Sequence, residues 1–155
     1  MRHEAPQFQP KDPDYADRVR ASFGMQQAMQ LIGAELAELE PGFAEIHLPH
    51  RPEITQQHGY IHGGVVGMIA DSAAGYAANT LTPHDTSVLT VEYKLNLLAP
   101  ADGQRLVARG EVIKPGRTLL ITRAEVYAVR DERWTLCAVM QQTIIAMHGK
   151  KDGAA

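Results

Sequence analysis

The spacing of apolar residues changes several times along the chain, and each change predicts an element. Tyr15, Val19 and Phe23 recur at helical spacing behind Asp12, a suitable N-cap, and Pro13, which suits a first helical position. Gly24 is predicted to break this helix, and Met25, Ala28, Met29, Leu31 and Ile32 predict a second short one up to Gly33. From Ala34 to Glu40 and from Phe43 to Leu48 the pattern alternates across Pro41-Gly42, as in a β-hairpin. Pro49 and Pro52 then open a polar, Gly-containing loop that ends in a different kind of segment. From Gly63 to Asn79 the residues are small and apolar almost throughout, with no Lys, Arg or Glu. A helix without a polar face is a buried helix. Its many Gly and Ala residues let another backbone approach closely, at a cost in helix propensity.

Past the turn Thr82-Pro83-His84-Asp85 the period becomes two. Leu89, Val91, Tyr93, Leu95 and Leu97 are predicted to share one face of a long strand, opposite Thr90, Glu92, Lys94 and Asn96. Turn signals at Pro100 to Gly103, Pro115-Gly116 and Asp131-Glu132 delimit strands over residues 104–114, 118–129 and 134–147. Strands joined by such short turns make an antiparallel sheet, and the buried helix must lie on its concave face. One sheet cannot cover that helix on every side, so a second copy of the chain is expected to complete the burial. The reading is a single α+β domain over residues 12–148. Residues 1–11 form an arm that is ordered only where it docks, and residues 149–155 a polar tail.

Composition narrows the function classes. With 155 residues, 45% apolar and 21% charged, the chain is long and apolar enough for one globular core. A formal charge of −3 argues against nucleic-acid binding. Cys137 is the single cysteine, which excludes a disulfide framework and a Cys-rich zinc site. The first residues lack the apolar stretch of a signal peptide, and no run approaches the ~18–20 apolar residues of a membrane span. The expectation is a cytoplasmic protein with no membrane partner. His58 and His62 stand four apart, but Gly59 between them argues against a helical metal pair, and no metal is expected.

One ionisable group interrupts the apolar helix. Asp71 is costly to desolvate there unless it is paired or used. Around it stand His62-Gly63-Gly64 and Ala70-Asp71, then the run from Thr90 to Ala101 (TVEYKLNLLAPA), then Val112 to Thr118 (VIKPGRT). In order and spacing these segments resemble a hotdog-fold acyl-CoA thioesterase of the PaaI-like branch, related to the hydroxybenzoyl-CoA thioesterases. The resemblance runs from about Gly33 to His148. It implies a curved antiparallel sheet wrapped around one long helix, a homodimer or a dimer of dimers, and hydrolysis of acyl- or aryl-CoA thioesters. Coenzyme A would be part of the substrate, with no separate cofactor. The resemblance gives Asp71 the role of general base or nucleophile and has Thr90 orient the water. It has Gln56 and His62 position the thioester or shape the loop. Gln56 is a departure, since many relatives carry Asn six residues before the His.

The spacing itself carries a second argument. Asp71 is eight residues past Gly63, about 12 Å of rise and about 80° of rotation. One helix therefore does not put the Gly63 N–H and the Asp71 carboxylate on the same carbonyl carbon, whereas two antiparallel copies across a two-fold axis do. A free N–H at a helix start is a natural oxyanion donor, and Gly63 leaves it accessible. Met68, Tyr76, Tyr93 and Leu97 are candidate pocket residues for an aryl or an alkyl group, and Gly64 a further contact. Lys114 and Arg117 are candidate cations for the coenzyme A phosphates, or ordinary solvated charges. Asp71 also has a purely structural reading as a hydrogen-bonded helix acid, Thr90 as a β-former on a polar face, and His62 as a loop-orienting group. A non-catalytic acyl-CoA or acyl-carrier-protein binding module is the alternative function. A hydratase fits less well, because His62 lies about 13.5 Å along the axis from Asp71.

Overall fold

In a computed structural model, described here over residues 7–153, the two predicted N-terminal helices are α1 (Tyr15–Met25) and α2 (Gln27–Ile32). They separate at Gln26, where ψ opens to 92°, and not at Gly24, which lies inside α1. Glycine costs a helix only about 1 kcal/mol and need not end it. The Asp12 carboxylate accepts from the Asp14 N–H at 3.0 Å, one turn before α1 proper begins. Gly33, at φ 78°, closes α2 in the left-handed conformation that favours glycine.

The hairpin follows as β1 (Glu35–Glu40) and β2 (Phe43–Pro49), then a short 3-10 turn (Pro52–Ile54) and the central helix α3 (Gly63–Asn79). Four strands complete the chain: β3 (Thr86–Leu97), β4 (Arg105–Pro115), β5 (Leu119–Arg130) and β6 (Arg133–His148). All six strands form one antiparallel sheet in the order β1-β2-β4-β5-β6-β3. This is the hotdog arrangement, a sheet curved around a single helix.

The helix sits very close to the sheet. A Cβ on Gly110 of β4 would fall 2.3 Å from the Ala73 carbonyl carbon, so only glycine fits beneath α3 at that point. Ile69, Ala70, Ala73 and Ala74 are buried against Ile46, Leu106, Ala108 and Ala124 of the sheet. At the far end Ala77, Ala78 and Leu81 pack with Val19, Val112 and Ile144. The arm docks where it is described: Phe8 packs on this second cluster and covers Gly42 in the β1–β2 turn. The rest of the arm (1–6) and the last two tail residues (154–155) lie outside the described residues.

The single-face reading of the long strand fails at a β-bulge. Thr90 pairs with Ile144, but Glu92 pairs with Thr143, so Val91 is an extra residue with no partner of its own. Past it the alternation changes phase. Tyr93, Leu95 and Leu97 lie opposite Gln142, Met140 and Ala138, and Thr90 lies opposite the fully buried Ile144. Directly opposed residues point the same way, so Thr90 shares the concave face with Tyr93 and Leu95, and Leu89 is turned away from it. A bulge is invisible to a period count, because hydrophobicity alone does not mark the unpaired residue.

Candidate active site

Asp71 lies midway along α3, on the side of the helix that faces β3 and β6. Its Oδ1 accepts from the Thr90 hydroxyl at 2.6 Å and from the Gln142 side-chain amide. Gln142 Nε2 also donates to Thr90 Oγ1 at 3.0 Å, so the three side chains close a ring. The bulge makes this ring possible by turning Thr90 inward. A cleft of about 520 Å³ opens beside the ring, with Tyr76, Gly75, Val88 and Leu89 among its lining residues. Ser22 and Gln26, from the junction of α1 and α2, line its far side. Ser22 meets the Tyr76 hydroxyl at 3.3 Å, and Ser72 donates to Gln26 at 3.2 Å. Burial pushes the Tyr76 phenol above its usual range.

The start of α3 is a separate place. His62 is its N-cap and uses Nδ1 to accept the Gly64 N–H at 2.8 Å, which puts any proton of a neutral ring on Nε2. Val65 and Val66 both donate to the His62 carbonyl. Among the described residues, nothing accepts from the Gly63 N–H. That donor opens on a second cleft of about 390 Å³, lined by Gln56, Tyr60, Val66, Leu97 and Cys137. Gln56 is anchored in its own turn: its backbone N–H reaches the Tyr60 carbonyl at 2.9 Å, and its side-chain oxygen accepts from the His58 N–H. Burial pushes the Cys137 thiol up to about 11, so this cysteine is an inert part of the wall.

The predicted residues thus fall into two groups in one chain. Asp71 and Thr90 meet at the first cleft, and Gly63 and Gln56 at the second; neither cleft borrows from the other group. Tyr93 lies over Gly67, between the two, with its hydroxyl 3.6 Å from where a Cβ on that glycine would stand. Met68 is half-buried against the core. Lys114 and Arg117 are exposed around the β4–β5 turn and line neither cleft. Among the described residues, no group of three His, Cys, Asp or Glu side chains is arranged to hold a metal. No helix there is long and apolar enough to cross a membrane.

Two site residues escape a reading of the sequence. The inward positions of β6 run Ala138, Met140, Gln142, Ile144 and Ala146, and those of β5 include Leu120, Thr122 and Ala124. Gln142 and Thr122 are the polar interruptions of these apolar series, at 1% and 0% exposure. A buried amide in such a place must have partners.

Residues 58–135 match the thioesterase superfamily. The chain is 29% identical over 122 residues to the 1,4-dihydroxy-2-naphthoyl-CoA hydrolase of Listeria monocytogenes, covering 79% of this chain and 97% of that one. A thioesterase family protein from Silicibacter pomeroyi superposes with a TM-score of 0.86 at 46% identity, over 87% of this chain and 99% of the other. The Escherichia coli PaaI protein from the phenylacetic acid degradation operon superposes with a TM-score of 0.78. It is 18% identical, over 88% of this chain and 96% of that one, a likeness of fold alone.

Proposed function

The chain belongs to the thioesterase superfamily, and from that premise we propose that it hydrolyses acyl- or aryl-CoA thioesters at two equivalent sites shared across a homodimer. Each site takes the carboxylate of one copy and the helix-start N–H of the other. The observation that carries this reading is the separation of the two groups: Asp71 and Gly63 open on different clefts of one chain. A two-fold axis beside α3 brings Asp71 of one copy to the partner's Gly63. The free edge of β3 fits the same axis. It exposes apolar side chains on both faces, Leu89 on one and Tyr93 and Leu97 on the other, beside backbone groups that are unpaired among the described residues and that a second β3 can cover.

In this site the thioester oxygen lies at the partner's Gly63 N–H, where the positive end of the helix dipole favours the developing charge. Asp71 takes a proton from water as the hydroxide oxygen bonds to the carbonyl carbon. The tetrahedral intermediate collapses with loss of the C–S bond, and the coenzyme A thiolate leaves with the proton that Asp71 returns. A thioester is activated enough that this needs no Ser-His-Asp triad. His62 fixes the loop, and Gln56 borders the thioester. The 1,4-dihydroxy-2-naphthoyl-CoA hydrolase named above acts on an aryl thioester, which supports an aryl group in the first cleft, among Tyr76, Val88, Ser22 and Gln26.

Thiol release from aryl-, short-chain and long-chain acyl-CoA, measured for wild type and Asp71→Asn together, tests the reading. Wild type turns over at least one class, and the variant loses about 10² or more in kcat with its fold retained. A variant as active as wild type removes Asp71 from the chemistry. Binding of acyl-CoA by wild type without turnover on any of these substrates favours a binding module.

A further inference from the structure

We propose that Gln142, held by Thr122, is a positioning residue that fixes which oxygen of Asp71 faces the substrate. An ionised carboxylate only accepts hydrogen bonds. Oδ1 receives both the Thr90 hydroxyl and the Gln142 amide, while among the described residues no donor reaches Oδ2. Oδ1 is the anchored oxygen and Oδ2 the one left for water. The inference rests on the reading of Asp71 as the reacting carboxylate.

The arrangement works in one orientation of the amide. Turned end for end, Gln142 would set its carbonyl oxygen against the Asp71 carboxylate, acceptor against acceptor. The Asp71 carboxylate excludes that orientation, and Thr122 supports the remaining one from the other side by donating its hydroxyl to Gln142 Oε1 at 3.0 Å. Thr122 and Gln142 are directly opposed on β5 and β6, so this bond is set by sheet register. Both residues are fully buried, and a mispaired amide there would leave polar groups unsatisfied at full desolvation cost. Thr90 is bound into the same frame. Its one hydroxyl proton goes to Asp71 and its oxygen accepts from Gln142, so toward a water it acts as an acceptor.

The test uses kcat and KM from thiol release, with thermal melting, for Thr122→Val, Thr122→Ser, Gln142→Met and the double variant Thr122→Val with Gln142→Met. Thr122→Val is expected to lower kcat about 10- to 100-fold, the scale of a misplaced reacting group, with KM within about twofold. Thr122→Ser, which keeps the hydroxyl, restores most of it. Because Thr122 acts only through Gln142, the double variant has the kcat of Gln142→Met alone. Unchanged kcat in Thr122→Val, losses that multiply in the double variant, or kcat falling only in step with the folded fraction would overturn the proposal. Asp71→Asn, assayed in the same series, separates the two readings. If it is inactive while Thr122→Val is unimpaired, only the positioning role fails; if it is active, the role of Asp71 fails first.

Discussion

At its C-terminal end α3 is closed by side chains from several parts of the chain, whereas at its N-terminal end a backbone donor is left open. The Arg18 guanidinium donates to the Asn79 side chain at 2.7 Å and to the carbonyls of Asn79 and Thr82 at 3.2 and 3.0 Å. It does so while paired to Asp12 at 2.8 Å. Thr80 donates to the Ala77 carbonyl and accepts the Gly42 N–H, each at 2.7 Å. Every helix end leaves unpaired groups, and a cation at the C-terminus also suits the dipole. At the other end His62 takes the Gly64 N–H, and among the described residues nothing accepts the Gly63 N–H beside it, where a cleft opens. The contrast teaches that the two ends of this helix are satisfied differently, the C-terminal one by side chains from elsewhere in the chain and the N-terminal one only in part.

The sharpest way to break this comparison is to remove the open donor without disturbing the helix. Gly63→Pro does so. Proline suits a first helical position, and His62, at φ −59° and ψ 138°, already has the conformation favoured before proline. Thiol release should fall about 10²- to 10³-fold, with thermal stability close to wild type. Gly63→Ala is the control, since its methyl meets the same Leu97 side chain while the N–H remains. Unfolded together and refolded in equal amounts, Gly63→Pro and Asp71→Asn should recover about a quarter of wild-type activity, because half the dimers are mixed and each has one intact site. No recovery above the two separate variants would show that the sites are not shared.

The closed end should respond the opposite way. Arg18→Met strands a buried Asp12 and the carbonyls of Asn79 and Thr82, and is expected to cost about 3 kcal/mol in urea unfolding. Its kcat below the melting point should stay near wild type. An activity loss larger than the stability loss would mean that the two ends are not independent.

The smallest effect concerns pH. The hydrogen bond from Arg18, helped by the Asp14 N–H, holds the Asp12 carboxyl below its ordinary 3.8 although burial opposes the shift. A carboxyl whose pKa is lower in the folded state contributes its full stability above the unfolded value and loses it as pH falls through the folded one. The melting-temperature difference between wild type and Asp12→Asn should therefore be constant above pH ~5 and shrink below about 3.8. A difference that grew on acidification would refute the pairing.

Much of this was legible in the residues. The apolar run from Gly63 to Asn79 could only be a buried helix, and Asp71 was conspicuous in it. The hairpin and the last three strands followed from alternation and turn residues, which hold where ladders are regular. Strict alternation puts Thr90 on the wrong face, because one unpaired residue, Val91, resets it without changing the composition. Gln142 and Thr122 are silent in the sequence because a lone amide or hydroxyl in a strand gives no motif. Their meaning depends on what lies across the sheet. Gly24 does not end α1 for a simpler reason: local propensity is weaker than the packing of Phe23 and its neighbours on the core.

Gly110 has no functional group and lines neither cleft, yet it acts as the spacer on which the site is levelled. Its missing side chain lets α3 come down onto β4 at Ala73, two residues from Asp71. That height is what allows an amide rooted in β6 and a hydroxyl rooted in β3 to reach the same carboxylate oxygen. A single methyl there would act as a shim under the helix, lifting Asp71 off both donors while every reacting group kept its identity. Tolerance to mutation in this molecule therefore follows the clearances that hold the machinery in alignment, as well as the chemistry that the machinery performs.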